Sequence, residues 1–153
     1  MNSNLSRAVV VAVLAATLVA SSGARAEAPA HERSSNTTRV AGLEFTVTVD
    51  GAHLSARTVP ASPTATAIAF PGRANRSVRF MPQADGTLMA MLPHPASQEL
   101  AVIVSAADAH GTAQEACVLP IAHGATCRLE PHAIHVRLRN GHQYQIDRQP
   151  PTS

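Results

Sequence analysis

The only two cysteines of the chain, Cys117 and Cys127, enclose the run Val118-Leu119-Pro120-Ile121-Ala122-His123-Gly124-Ala125-Thr126. Nine intervening residues do not make a C-x-x-C redox motif. In an exported chain such a pair reads as a disulfide closing a short loop, worth about 2–3 kcal/mol in the chain-entropy model. Oxidation also removes Cys117 as a thiolate, which argues against a blue-copper site built from Cys117, His123 and a methionine.

The second grouping is Met81, Met89 and Met91. Apart from Met1 these are all the methionines, and one expected hairpin carries them, with His94 just beyond Pro93. Thioether and imidazole donors point to Cu(I). The competing reading packs this methionine face on a second sheet or a partner, with Met as adaptable filler.

Eight histidines invite a metal reading, but most stand in turns or beside proline: His53, His94, His110, His123, His132 and His142. No spacing matches a zinc pattern, and His132 and His135, three apart on a strand, would point to opposite faces. Ser105, Asp108 and His110 are close in sequence, yet a polar turn explains them better than a triad. No nucleophile elbow, zinc-protease, phosphate-loop or dinucleotide motif occurs.

These residues must be held by strands. Leu43, Phe45, Val47 and Val49 alternate with Glu44, Thr46 and Thr48, and Asp50-Gly51 follows as a hairpin turn. Turning on those two residues pairs Val47 with Leu54, Phe45 with Ala56 and Glu44 with Arg57. A short strand is expected over Ala65 to Phe70. Arg76 to Met81 and Thr87 to Leu92 form a second hairpin around a five-residue loop, pairing Val78 with Ala90 and Phe80 with Leu88. That register puts Met81 diagonal to Met89, on the face opposite Phe80, Leu88 and Leu92.

Leu100 to Ala106 and Thr112 to Leu119 make a third hairpin. A three-residue loop ending in Gly111 aligns Val104 with Ala116 and Val102 with Val118. In the last hairpin a three-residue loop, Arg139-Asn140-Gly141, keeps the faces unmixed, with Val136 opposite Tyr144 and Ile134 opposite Ile146. No stretch has helical period over three turns. Short strands with regular turn signals predict an all-β fold: a small antiparallel β-sandwich, immunoglobulin-like, or a partly open barrel, with one disulfide.

Residues 1–26 have the form of a signal peptide: Arg7, an apolar run from Ala8 to Ala20, and Ala24-Arg25-Ala26 as cleavage site. The apolar run is too short to span a membrane. Residues 27–40 are polar and aperiodic and are expected to be a flexible arm. Residues 41–148 make a single sandwich domain, and 149–153 a disordered tail. Without the signal, the 12 arginines less Arg7 and Arg25 leave ten against ten acidic residues, so no basic footprint for nucleic acid remains. Lysine and tryptophan are absent. The arginine and alanine bias suggests GC-rich, bacterial coding, and the scarcity of aromatics argues against stacking platforms. Two sequons, at Asn36 and Asn75, are expected to be unmodified.

The sequence therefore predicts a periplasmic or secreted, non-enzymatic sandwich that binds another protein or a cell-envelope component, without a catalytic residue or cofactor. One alternative is copper binding by Met81, Met89, Met91 and His94. The other is a small hydrolase using His94, His110 or His123.

Overall fold

The computed structural model describes residues 33–72 and 77–148. The expectations for 1–26, for the first part of the arm and for 149–153 lie outside the described residues, as does the sequon at Asn75. The described residues belong to one compact unit.

Twelve strands and no helix make up these residues: β1 (Ser34–Val40), β2 (Leu43–Asp50), β3 (His53–Val59), β4 (Thr66–Phe70), β5 (Val78–Arg79), β6 (Met81–Pro82), β7 (Leu88–Met91), β8 (Ala101–Ala107), β9 (Ala113–Val118), β10 (Thr126–Leu129), β11 (Ala133–Arg137) and β12 (Gln143–Asp147). They form three sheets, of five strands in the order β1-β2-β3-β7-β6, four in the order β5-β4-β8-β9, and three in the order β10-β11-β12. Every pairing is antiparallel. The all-β sandwich is as expected. The barrel alternative is not, because the sheets do not close on one another.

Alternation decides which faces meet. Phe45, Val47 and Val49 of β2 and Leu54 and Ala56 of β3 pack in one core with Ala67 and Ala69 of β4 and Val102, Val104 and Ala106 of β8. Phe45 and Val47 are fully buried, each worth about 1.5–3 kcal/mol. The intervening β8 residues, Ala101 and Ile103, enter a second core with Ile134, Val136 and Ile146 of the three-stranded sheet. The four-stranded sheet is thus the middle layer of three. The disulfide expected between Cys117 and Cys127 is present, with a Cα–Cα distance of 6.1 Å, and ties β9 of the middle layer to β10 of the outer one.

Two edges of the inner sandwich are sealed without a continuous ladder. At one, the chain switches sheets between β5 and β6, and the Phe80 N–H donates to the Ala67 carbonyl. At the other, β1 lies beside the β9 end: Asn36 Nδ2 donates to the Leu119 carbonyl at 3.1 Å and Ser34 Oγ to the Pro120 carbonyl at 2.6 Å. The flexible-arm expectation is therefore corrected over residues 34–40. That stretch is a strand whose inward positions are Ser34, Asn36, Thr38 and Val40; Ser34 and Asn36 serve main-chain carbonyls, and one apolar residue makes no period to betray it. The Asn36 amide is engaged in this contact.

Two hairpin registers are as read, with Val104 opposite Ala116 and Val136 opposite Tyr144. Two differ, one by a shift of two residues and one by a shift and a change of sheet: Val78 pairs with Ala69 in the four-stranded sheet, not with Ala90, and Pro82, not Phe80, faces Leu88. Val47 faces Ala56, not Leu54, because the turn is Gly51-Ala52 and not Asp50-Gly51; Arg57 then lies opposite Thr46, and Glu44 reaches Arg39 instead, at 4.0 Å. Met81 faces Met89 directly, because the loop is the three residues Ala84-Asp85-Gly86, closed by Gln83 N–H to the Thr87 carbonyl. Gly86, Gly111 and Gly141 occupy the same third loop position with φ of 86°, 81° and 90°, the left-handed region that such loops demand.

Candidate functional site

Three stacked sheets have six faces, and among the described residues four of these face one of the two cores. The outer face of the three-stranded sheet and the outer face of the five-stranded sheet remain to solvent.

The outer face of the three-stranded sheet carries Thr126, Arg128, His135, Arg137, Gln143 and Gln145. It forms a shallow recess of ≈ 560 Å³. Glu130 accepts from Arg128 at 3.1 Å and stands 3.1 Å from His135 Nε2. This is an ordinary solvated face, polar at every outward position but Ala133, which is buried. Beneath this face the Tyr144 hydroxyl is buried without a hydrogen-bond partner among the described residues, and burial, then the charge of Glu99, pushes it up to about 12.

The outer face of the five-stranded sheet obeys the same rule over β1, β2 and most of β3, with Ser35, Thr37, Thr46, Thr48, Ser55 and Arg57. It breaks the rule at Val59, a lone apolar residue 65% exposed at the end of β3, and, as a group, at β6 and β7. Met81, Met89 and Met91 are 61%, 43% and 62% exposed. Burial of this face on another sheet of the chain, one of the two readings of the sequence, does not occur among the described residues. The ladder runs Met81–Met89–Ser55 in one row and Met91–His53–Asp50 in the next. His53 is itself exposed.

Of the four residues named from the sequence, the structure places the three methionines together. His94 stands elsewhere. After β7 the chain folds over the β2–β3 turn, with Leu92 N–H donating to the Ala52 carbonyl and Ala96 N–H to the Gly51 carbonyl. His94 there lines a hollow of ≈ 280 Å³ with Pro71, Pro93 and Leu100. The ladder position beside Met91 belongs to His53. Pairing of β3 with β7 joins strands distant in sequence, so no local signal links His53 to the methionines.

The remaining histidines are dispersed. His110 sits in the β8–β9 turn, and Asp108 does not face it as a triad acid. Asp108 Oδ1 accepts the N–H groups of His110 at 2.8 Å and Thr112 at 2.9 Å, and Oδ2 accepts from Gln114. The Thr112 and His110 amides hold this carboxyl below its ordinary value. The nearest approach to a nucleophile and base is Ser34 Oγ, 2.9 Å from His123 Nε2, beside a groove of ≈ 500 Å³. A hydroxyl has one proton, and the Ser34 proton goes to the Pro120 carbonyl. The imidazole is then the donor toward Ser34, the reverse of the polarity a base-activated nucleophile requires.

Among the described residues no three of His, Cys, Asp or Glu gather as a metal site, and no helix is long and apolar enough to cross a membrane. No protein-family model, curated protein or solved structure matches the chain.

Proposed function

We propose that the chain is an exported, non-catalytic binding module whose working surface is the methionine-bearing outer face of the five-stranded sheet, and that the partner it meets there is another protein or a cell-envelope component. One observation carries the reading: three thioethers stand exposed and side by side at the end of a sheet face whose other exposed large apolar residue, Val59, stands alone at the far end of β3. Apolar groups on solvated faces normally occur singly, and a contiguous set marks a contact surface. Methionine suits such a surface because its unbranched, polarizable side chain adapts to what it meets. Export is supported by the signal-like residues 1–26 and by the disulfide, a bond of oxidising compartments.

A photo-crosslinking residue at Ser55, which faces Met89 across the ladder, tests this reading in extracts of the source cell envelope. A control carries the same group at Gln145 on the three-stranded sheet. The expected result is one discrete adduct from position 55, lost when Met81, Met89 and Met91 are changed to Asp, and none from position 145. No adduct from position 55, or the same adducts from both, overturns it.

A further inference from the structure

We propose that Met81, Met89, Met91 and His53 form a Cu(I) site on this face, a deepening that rests on reading the face as the working surface. The donors decide the metal. Three thioethers and an imidazole are soft or borderline and carry no charge, and soft sulfur ligands select Cu(I) over hard cations. Calcium and magnesium need several oxygen ligands, and this patch offers one carboxylate, Asp50, opposite His53. Carboxylate partners commonly orient a ligating imidazole from outside the coordination shell.

The register supplies the spacing. Met81 and Met89 are directly opposed, which puts their Cβ atoms about 4.5–5.5 Å apart. Met91 lies two residues along β7 from Met89, about 7 Å away on the same face. His53 is directly opposed to Met91. The longest span, His53 to Met81, crosses two strand spacings of about 4.8 Å and two residues along the strand, roughly 12 Å in all. Only long side chains leaning toward each other cover that span, and methionine has three rotatable bonds with which to do so. The metal would therefore sit above the Met89–Met91 edge, with Met81 and His53 closing from either side. Exposure leaves these side chains free to converge without disturbing the core beneath.

Purified protein is titrated with Cu(I) under ascorbate, which spares the disulfide, against a chromogenic Cu(I) chelator. One equivalent is expected to bind, with a sulfur-dominated first shell by X-ray absorption. The exposed triple change Met81→Leu, Met89→Leu and Met91→Leu is expected to weaken binding at least about a hundredfold, and His53→Ala about tenfold, steps of roughly 2.7 and 1.4 kcal/mol. His94→Ala is expected to leave affinity unchanged. Equal affinity in the triple variant, with an unchanged circular dichroism spectrum, overturns the metal site. If the crosslink from position 55 persists in that case, the metal assignment alone falls; if both fail, the reading of the face falls with it.

Discussion

Asp108 holds the β8–β9 turn with one carboxylate. Its acceptance of the Thr112 and His110 amides favours the ionised form, so its acidity is raised in the folded chain. A carboxyl with a lowered folded value contributes stability above its unfolded value, here near 3.8, and loses it as pH falls through the folded one. Asp85 in the β6–β7 loop behaves alike through Thr87. Asp108→Asn is accordingly expected to lower the thermal midpoint near neutral pH and to converge on the parent as pH falls below about 4; a constant difference across the range would count against it. Ala41 is the opposite kind of residue. It takes φ of 53° at the first central position of the β1–β2 turn, before Gly42 at 80°. A left-handed alanine costs about 1–2 kcal/mol, and asparagine is favoured at such a position. Ala41→Asn should therefore raise stability by about 1 kcal/mol in urea melts, and a loss would show that the turn relaxes in another way.

At the scale of elements, side-chain parity made much of the fold legible. It placed Phe45, Val47, Ile134 and Val136 inward, and it chose the odd loops before Gly111 and Gly141. A shift of two residues keeps every side chain on its face, so parity could not separate Val47–Leu54 from Val47–Ala56, and the same loss moved Met81 relative to Met89. The third layer was not legible: Ala101 to Val104 of β8 is continuously buried, and an unbroken apolar run marks a strand covered on both sides, but it does not say what covers it. The covering sheet is strapped on by the disulfide and by Arg148, which donates to the Glu115 carboxylate at 3.2 Å and to the Glu130 carbonyl at 3.0 Å. Changing both Cys117 and Cys127 to Ala should cost about 2–3 kcal/mol. Hydrogen exchange should then speed in β10–β12 before it does in β2 and β3; uniform acceleration would contradict a local strap.

At the scale of the whole molecule, the layering leaves two open faces, and only one departs from ordinary surface chemistry. The methionines of that face were visible in the sequence because they cluster in one hairpin, whereas His53 joins them only through a pairing between distant strands. The most direct measurement uses protein labelled at the methionine methyl groups, since the chain has four methionines and three of them stand on this face. Methyl resonances of Met81, Met89 and Met91 are followed by NMR as one equivalent of Cu(I) is added, together with the side-chain amides of Gln143 and Gln145 on the other open face. All three methyl signals are expected to move together while the two glutamine amides stay in place. Metal uptake that leaves the three methyl signals unmoved, or that shifts the glutamine amides instead, would contradict the assignment of function to the methionine face.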